Sequence, residues 1–413
     1  MKRNVLIIGA GGVAQVVAHK CAQNNDVLGD LHIASRTKEK CDAIVASVHS
    51  KGAMKVPGPF ETHEVDAMDS AAVARLIRDT GCQIVINVGS AFVNKYVLDA
   101  CIETGVAYID TAIHEEPDKI CETPPWYANY EWKRRDECAE KGVTAILGAG
   151  FDPGVVNAFA RLAADDYIDE IESIDIVDIN AGSHGKYFAT NFDPEINFRE
   201  FTGTVYAWQK GEWTENRMFE VGREWDLPVV GKQKAYMSGH DEVHSLAANY
   251  PKADVRFWMG FGDHYINVFT VLKNLGLLSE QPVTTAEGQE VIPLKVVKAV
   301  LPDPASLAPG YTGKTCIGDL VKGTKDGKPA EVFIYNVADH KEAYEEVGSQ
   351  GISYTAGVPP VAAAMLVANG KWDAGEMKNV EELDPHLFLG LLNVMGLPTC
   401  IRDSEGERPL HFD

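Results

Sequence analysis

The chain has 413 residues, enough for two or three domains, and its 45% hydrophobic content is ordinary for a globular protein. Its 60 acidic and 38 basic side chains give a net charge of −22, which argues against nucleic acid or an anionic membrane as a partner and suits a cationic substrate. The sequence has no secretory signal pattern and no apolar run of membrane-spanning length, and its eight cysteines lack metal-ligand spacing. We therefore expect a cytoplasmic protein without a metal site, a disulfide framework or a membrane partner.

The first predicted element is a buried strand that runs into a glycine-rich turn. Residues 5–8 are apolar, the pattern Gly-x-Gly-x-x-Ala follows, and a helical pattern begins directly after it. This is the phosphate-binding turn of a dinucleotide-binding βαβ unit, in which the helix N-terminus faces the phosphates. The alternative is a tight strand-to-helix turn that binds no ligand. The predicted cofactor-binding residues in this turn are Gly9, Gly11, Gly12, Val13 and Ala14.

The second predicted strand, residues 30–35, indicates which dinucleotide binds. A site for NAD usually ends this strand with Asp or Glu on the ribose 2′-hydroxyl, whereas this chain has Ser35 and then Arg36. A hydroxyl followed by a guanidinium suits a 2′-phosphate, so we predict NADPH, bound here by Ser35, Arg36, Thr37 and Lys40. The alternative is a solvated basic loop.

Strands and helices alternate through the first 150 residues, which predicts a doubly wound parallel sheet. Asp66 is placed in a loop over the adenine, and Asn87, Val88, Gly89, Ser90 and Asp110 are placed at strand ends beside the nicotinamide. After strand 30–35 the predicted elements are helix 38–51, strand 60–66, helix 70–80, strand 82–90, helix 94–104, strand 107–110, a polar helix 125–141 and strand 144–148.

The pattern changes near residue 151. Asp152 is expected as a helix N-cap with Pro153 at the first helical position, and strand-like alternation runs over 172–205 and 330–335. These features predict a second, α+β domain with a mixed or antiparallel sheet, whose open face is a candidate dimer surface. The expected domains are a Rossmann domain (1–150), a substrate-binding and dimerisation domain (151–351), and a C-terminal segment (352–413). That segment is expected to return to the Rossmann domain with an apolar helix over 361–369.

Several strings resemble one family. The glycine turn, Asn-Val-Gly-Ser at 87–90 and Gly-Phe-Asp-Pro-Gly at 150–154 are similar to the saccharopine dehydrogenase-like oxidoreductases. Longer strings resemble their carboxynorspermidine/carboxyspermidine dehydrogenase branch, and together these strings cover essentially the whole chain. One departure is Ile-His-Glu-Glu-Pro at 113–117, where Asn-Tyr-Glu-Pro is expected. The longer strings lie at 187–197, 199–200, 256–259, 301–307, 346–350 and 352–359.

The resemblance implies a reaction. A diamine, putrescine or 1,3-diaminopropane, condenses with L-aspartate β-semialdehyde, and NADPH reduces the imine to carboxyspermidine or carboxynorspermidine. The family also implies a homodimer.

Binding a diamine favours carboxylates with aromatic walls. We therefore select Asp193, Glu195 and Glu200, with Asn191 of the same string, as substrate-binding candidates. Arg199 is a candidate clamp for the amino-acid carboxylate, or alternatively an internal partner of Glu195 or Glu200. These acids also fit an ordinary surface loop.

For proton transfer the candidates are Asp152, where the domains meet, and His184 in a glycine-flanked loop. The alternatives are a structural cap for Asp152 and a solvent-facing His184. His114 and Glu116, after a parallel strand, are weaker substrate-site candidates. His240 and His244 share a helical face, but no third ligand is indicated, so no metal is predicted.

Two other kinds of function remain open. One is a saccharopine-type or agmatine-using reductase on the same scaffold, because neither the fold nor the glycine turn separates the amines. The other is a non-catalytic NADP-binding protein. The amine and the proton-transfer residue are not determined by the sequence.

Overall fold

A computed structural model describes residues 3–117, 119 and 122–412 of the chain. Its first sheet has seven strands, all parallel, and a strand from the C-terminal segment of the chain forms one edge. In spatial order the strands are β3 (Phe60–Glu64), β2 (Leu31–Ser35), β1 (Val5–Ile8), β4 (Ile84–Asn87), β5 (Ala107–Asp110), β6 (Ala145–Leu147) and β17 (Met377–Asn379).

Helices cover both faces of this sheet, which explains why the central strands are apolar on both sides. Alternate side chains of β1 enter two different cores: Val5 and Ile7 pack in one, and Leu6 and Ile8 in the other. The helices of the first 150 residues are α1 (Gly12–Gln23), α2 (Asn25–Leu28), α3 (Lys38–Ser50), α4 (Ser70–Thr80), α5 (Asn94–Thr104) and α6 (Arg135–Lys141).

The second sheet has ten strands in the described residues and is mixed, because β12 and β7 pair in parallel and the other pairs are antiparallel. The predicted fold class, a Rossmann sheet with a second α+β domain, is thereby confirmed. The strand order is β10 (Gly222–Leu227), β11 (Gly231–Ser238), β12 (Asp254–Gly260), β7 (Glu170–Asn180), β15 (Lys314–Lys325), β16 (Lys328–Asp339), β18 (Cys400–Asp403) and β19 (Gly406–Pro409), with β8 (Thr204–Gln209) on β12 and β9 (Glu212–Arg217) on β8.

The remaining helices pack around this sheet and between the two sheets. A five-residue π-turn, Ala163–Tyr167, extends the first of them, and a small hairpin, β13 (Val283–Thr284) and β14 (Glu290–Val291), lies apart. The helices are α7 (Val155–Leu162), α8 (Pro194–Thr202), α9 (Asp241–Asn249), α10 (Asp263–Asn274), α11 (Pro293–Val300), α12 (His340–Val347), α13 (Gly351–Ala368) and α14 (Pro385–Val394).

Three local predictions were wrong. Asp152 is not the helix N-cap, because α7 begins two residues after Pro153, with Gly154 as N-cap at φ +136° and its N–H donating to the Asn157 side chain (2.8 Å). The predicted strand-like run through 205 contains helix α8, which Asp193 caps and which packs its aromatic side chains in a separate cluster.

The predicted helix 125–141 is also broken. Only α6 forms a regular helix, after 3₁₀ turns at Trp126–Asn129 and Trp132–Arg134. The indole N–H of Trp126 donates to the His114 carbonyl (3.0 Å), and buried Glu131 accepts from the His114 N–H (2.6 Å). These tertiary hydrogen bonds override the local helical preference.

Helix α13 begins ten residues before the predicted start at 361 and continues through Pro359 and Pro360. Each proline removes one helical hydrogen bond, but the helix is held by the core around it. Among the described helices α13 alone is long and apolar enough to cross a membrane, and 89% of it is buried inside the protein. It is therefore the central core helix, packed on α1 and α14.

The end of the chain contributes to both sheets. Strand β17 extends the first sheet beside β6, whereas β18 and β19 extend the second beside β16. The seven cysteines in the described residues are free thiols, and Cys121 lies outside that part of the chain.

Candidate active site

A cavity of 760 Å³ lies where the carboxyl ends of the first sheet meet the second sheet. The phosphate turn after β1 and the loop after β4 form one side, and residues from β7, α8 and the start of α9 form the other. The crevice at the carboxyl ends of a parallel sheet is where such folds bind their ligands.

The turn after β1 has the shape of a phosphate cradle. Gly9 has φ +123°, and a Cβ there would come within 2.6 Å of the Val88 carbonyl oxygen. A Cβ on Gly11 would meet no atom within 4 Å, so the space in front of this turn is open. Helix α1 then starts with no side-chain cap and no acidic residue in its first turn. Its free N–H groups suit a pyrophosphate, and the residues fit a dinucleotide.

The predicted residues of this turn divide into two groups. Gly9, Gly11, Gly12 and Val13 line the cavity, whereas Ala14 is fully buried behind it. This arrangement matches the packing role expected for a small residue at the third position of the motif.

The loop after β2 presents an open basic surface. Arg36 and Thr37 are exposed, and Lys40 lines the cavity. The Ser35 hydroxyl accepts from the Thr37 N–H (3.1 Å), which fixes the loop. Asp66 lies exposed after β3, where its carboxylate accepts from the Met68 N–H (3.0 Å).

The loop after β4 is positioned by buried polar side chains. Val88, Gly89 and Ser90 line the cavity, and Asn87 lies behind them, accepting from the Gly89 N–H (3.2 Å). Asp110 is also behind the wall; it accepts from the Gly148 N–H (2.6 Å), and burial raises its pKa to about 7. Asn87 and Asp110 therefore shape the cofactor side of the cavity without lining it.

The opposite wall of the cavity is strongly acidic. Burial raises the pKa of Glu200 to about 8, and it raises the pKa of Asp178 and of Asp241 to about 6. One carboxylate oxygen of Glu200 and one of Asp178 have no hydrogen-bond partner among the described residues. Carboxylates that lie together away from bulk water are costly unless a cation joins them, so this wall suits an amine. The acids of the inner wall are Glu115, Glu122, Asp152, Asp178, Glu200 and Asp241.

His240 is the basic group within this wall. Its Nδ1 lies 2.6 Å from a carboxylate oxygen of Glu242, and its ring stacks on Phe257 at 4.1 Å between centroids. Burial acts to lower the pKa of His240, but Glu242, Asp152 and Glu200 outweigh it and raise that pKa well above its usual value. His240 is accordingly a cation that faces the cavity.

Asp152 and Asp178 form an acid pair beside His240. Burial, with the charge of Asp178, raises the pKa of Asp152 well above its usual range. Asp178 keeps a lower pKa because His240 and a side-chain hydrogen bond with Asp152 oppose the effect of burial. Of the two, Asp152 therefore keeps its proton more readily and Asp178 ionises more readily, which gives one donor and one acceptor in the same wall.

The predicted substrate-binding acids of the 191–200 string have different positions. Asp193 caps α8 and, like Glu195, pairs with Lys298, at 2.9 and 3.1 Å respectively. Asn191 lines the cavity and accepts from the Tyr311 hydroxyl (2.6 Å). Only Glu200 of these acids belongs to the inner wall; Asp193 and Lys298 lie at its rim.

Arg199 is used within the protein. Its side chain is 2% exposed and bridges Glu115 (3.1 Å) and Glu280 (3.0 Å). The other N–H groups donate to the carbonyls of residues 116, 117 and 119. The guanidinium thus anchors segment 115–119, and this internal role replaces the expected clamp for a substrate carboxylate.

Two predicted histidines, His184 and His114, and the predicted Glu116 do not line the cavity in the described part of the chain. His184 packs edge-on against Tyr311, with centroids 5.6 Å apart. His114 is fully buried 3.3 Å from a carboxylate oxygen of Glu116, which also pairs with Lys95. His244 does line it, but it is enclosed by aromatic rings, and burial lowers its pKa to about 3.

Sequence reasoning missed Asp178, and it considered His240 and Asp241 only as part of a possible metal-binding pattern. Asp178 interrupts the apolar face of β7, and His240 with Asp241 marks the junction between β11 and α9. A polar residue inside a buried strand was the available signal for Asp178. The closeness of these groups depends on long-range pairing of β7 with β12, which no local pattern indicates.

Family models cover both halves of the chain. The saccharopine dehydrogenase NADP binding domain matches residues 5–146, and the saccharopine dehydrogenase C-terminal domain matches residues 150–397. The chain belongs to the saccharopine dehydrogenase family. The predicted family is confirmed, and the protein is an oxidoreductase that uses a nicotinamide cofactor.

Curated relatives in this family match over nearly their whole length. The chain is 47% identical to a carboxynorspermidine synthase of Vibrio alginolyticus, with 98% of each chain covered. It is 46% identical to the Vibrio cholerae protein of the same name, again with 98% of each covered. It is 43% identical to a carboxyaminopropylagmatine dehydrogenase of Synechocystis sp., covering 95% of this chain and 96% of that one.

Solved structures show the same fold. The chain superposes on apo saccharopine dehydrogenase (L-Glu forming) from Saccharomyces cerevisiae with a TM-score of 0.70 and 13% identity, covering 97% of this chain and 99% of that one. For the homospermidine synthase of Legionella pneumophila in complex with NAD, the TM-score is 0.67 at 12% identity, with 99% and 92% covered. At these identities the likeness concerns the fold alone.

Proposed function

We propose that the protein catalyses the NADPH-dependent reductive condensation of L-aspartate β-semialdehyde with a diamine in polyamine biosynthesis. The diamine is putrescine or 1,3-diaminopropane, and the product is carboxyspermidine or carboxynorspermidine. The observation that carries this proposal is the acidic wall around Glu200, directly across the cavity from the phosphate cradle. The names of the Vibrio relatives support the same reaction.

The choice of NADPH rests on the loop after β2. Arg36 is exposed next to Ser35, where a guanidinium can bind a 2′-phosphate with charge-assisted hydrogen bonds. Lys40 lies on the same side of the cavity and adds positive charge. Thr37 and Asp66 border the place expected for the adenosine.

The acidic wall binds the diamine. A diamine carries positive charge at both ends near neutral pH, and the wall contains more carboxyl groups than His240 can balance. Glu200 and Asp241 would hold the ammonium groups, since each carboxyl is open to the cavity and has a raised pKa. The energy released when a cation joins these acids favours a dication over a neutral amine.

Lys298 is the proposed partner of the semialdehyde carboxylate. Its ammonium group lies at the cavity rim between Asp193 and Glu195, which hold it in place. Asp193 and Glu195 therefore position Lys298 and do not bind the amine themselves.

When bound, NADPH supplies the hydride that reduces the imine carbon. Before that step, two N–H protons pass from the amine nitrogen to the aldehyde oxygen, which leaves as water. Asp178, which ionises more readily, accepts the first proton from the ammonium group, and Asp152, which keeps its proton more readily, donates to the departing hydroxyl. After hydride transfer the secondary amine takes one proton from solvent, so the reaction consumes NADPH and one proton.

His240 with Glu242 maintains this arrangement. Its positive charge lowers the pKa of Asp178 and so keeps an acceptor beside the protonated Asp152. Removing that charge would raise the pKa of both aspartates and so reduce the supply of an ionised base for the incoming ammonium.

Agmatine is a second candidate amine. The Synechocystis relative, at 43% identity, is named for an agmatine product, and a guanidinium would also find carboxylates in the acidic wall. Within the departure at residues 113–117, Glu115 lines this wall, which is where amines of different length would be distinguished.

We also propose that the enzyme acts in the cytoplasm as a homodimer through the outer face of the second sheet. Support comes from the family resemblance, because the apolar side chains of this sheet that include Trp258, Phe333 and Tyr335 are buried within the chain. Light scattering of the purified protein measures the oligomer directly.

The experiment that tests the reaction is NADPH oxidation in the presence of L-aspartate β-semialdehyde and each of putrescine, 1,3-diaminopropane, agmatine and lysine. Mass spectrometry identifies the product. We expect turnover with a diamine and the corresponding carboxylated triamine. Turnover with agmatine alone would select the second candidate. Tight NADPH binding without turnover on any amine would refute a reductive role.

A further inference from the structure

A second group of polar side chains lies outside the cavity, on strands β2 and β3 of the first sheet. His32 lies on β2, and Glu61 and His63 lie two residues apart on β3. The parallel register places His32 opposite Glu61 and Ala34 opposite His63. Since side chains alternate along a strand, the three residues share one face of the sheet. One nitrogen or oxygen from each lies within 4.8 Å of the others.

The separations suit a common cation. Nδ1 of His32 lies 3.0 Å from Nε2 of His63 and 3.8 Å from a carboxylate oxygen of Glu61. Two imidazole nitrogens bound to one tetrahedral Zn²⁺ at their usual bond lengths lie about 3.3 Å apart. The two rings would therefore separate by only a few tenths of an ångström to accept an ion.

The electrostatics favour ligation as well. Burial lowers the pKa of His32 and of His63 and so favours the neutral imidazoles that bind metals. The facing ring nitrogens share one hydrogen bond, and an ion between them would take the place of its proton. His32 is 5% exposed, whereas His63 is partly exposed and Glu61 is exposed, so an ion has a path from solvent. Asp30 and Asp79 line the same recess and make its potential negative.

We propose that His32, Glu61 and His63 form a binding site for a divalent transition-metal ion of the Zn²⁺ class. Two imidazole nitrogens and one carboxylate oxygen are a ligand set that Zn²⁺ accepts, with a water molecule at the fourth position. The ion would join edge strand β3 to β2, whose carboxyl end carries the Ser35–Arg36 loop. This site is independent of the proposed reaction.

The test uses the purified, tag-free full chain after removal of metals with a chelator. Isothermal titration calorimetry with ZnCl₂ measures affinity, and titration with Co²⁺ gives visible absorption bands that report nitrogen and oxygen ligands. We expect one site of micromolar affinity or tighter in the parent protein. His63→Ala should weaken Zn²⁺ binding at least about tenfold and abolish the Co²⁺ bands, because it removes a direct ligand.

Control variants separate this site from other histidines. His49→Ala removes an exposed histidine of α3, and His386→Ala removes the histidine that pairs with Asp166 and Asp384. Both should bind Zn²⁺ as the parent does. Glu61→Gln alters an exposed side chain and serves as the second ligand variant, because it leaves the buried imidazole of His32 in place. Equal Zn²⁺ affinity in His63→Ala, Glu61→Gln and the parent, or no binding by the parent, would overturn the proposal.

Discussion

The raised pKa of Glu200 makes amine binding depend on pH in a predictable way. A dication binds the ionised carboxylate, and burial raises the pKa of this group to about 8. The ionised fraction of Glu200 then increases from about 1% near pH 6 to about half near pH 8, which is roughly a 50-fold gain. Asp178 and Asp241, with pKa values of about 6, would each contribute only about a twofold gain over the same range.

Diamine binding should become tighter as the pH rises. Diamines keep their positive charge throughout this range, so the added affinity comes from the protein, which releases a proton as the diamine binds. We therefore expect putrescine to bind at least about 50-fold more tightly near pH 8 than near pH 6. Glu200→Gln should bind weakly at both pH values and reduce the change to a few-fold.

The assay is calorimetric titration of putrescine into the enzyme with NADP⁺ and without aldehyde, so that chemistry does not contribute. Repeating it in buffers of different ionisation heat counts the protons released. Glu287→Gln, an exposed glutamate in the loop between β13 and β14, is the matched control and should keep the parental pH dependence. An unchanged pH dependence in Glu200→Gln, or a flat profile in the parent, would refute the reasoning.

The other predictions concern the cofactor, proton transfer and stability. Arg36→Ala should raise the KM for NADPH about 10- to 100-fold and leave the KM for NADH nearly unchanged. Lys38→Ala is the control and should alter neither KM. Equal effects of Arg36→Ala on both cofactors would contradict the role assigned to Arg36. Asp178→Asn should lower kcat by about 100-fold while the Kd for NADPH, measured by fluorescence, stays the same; a normal kcat would exclude it as the base. Arg199→Met should lower the free energy of unfolding in urea by about 3 kcal/mol, because it leaves Glu115 and Glu280 partly buried without their cation. An unchanged urea midpoint would show that this network does not stabilise the protein.

Stability should also depend on pH through Glu200. Its pKa is higher in the folded state than in an unfolded chain, so its favourable contribution is complete below about pH 4 and is lost as the pH rises towards about 8. Glu200→Gln should therefore raise Tm near pH 8 and leave it nearly unchanged near pH 4. Differential scanning calorimetry measures Tm at both pH values. A lower Tm of the variant near pH 8 would contradict the conclusion that burying the ionised Glu200 carboxylate destabilises the protein.

The parts of the fold that were predictable have local causes. The turn at Gly9 and Gly11 was readable because a strand, two glycines and a helix start follow one another in the sequence, and the structure brings them to the cavity. The central parallel strands of the first sheet were predictable because both of their faces are apolar. For the second half of the chain, the prediction rested on the sequence segments that resemble the saccharopine dehydrogenase-like family.

The rest required contacts between distant residues. Arg199 looked like a carboxylate clamp from its neighbours, but its actual partners are Glu115 and Glu280, each more than 80 positions away. Asp152 looked like a helix cap, but the backbone at Gly154 starts α7 later and leaves Asp152 facing Asp178. No local pattern contains these pairings, because they arise from how β7, α8 and α9 meet around the cavity.

The shared C-terminal segment has a consequence for synthesis of the protein. A nascent chain that has completed β6 lacks both its edge partner β17 and helix α13, which packs so closely on α1 that a Cβ at Gly357 would come within 2.6 Å of the Val16 side chain. The dinucleotide half thus leaves the ribosome with an open strand edge and an uncovered apolar face. We expect it to become protease-resistant only after about residue 380 has emerged, so that the first half to be made is among the last to be finished.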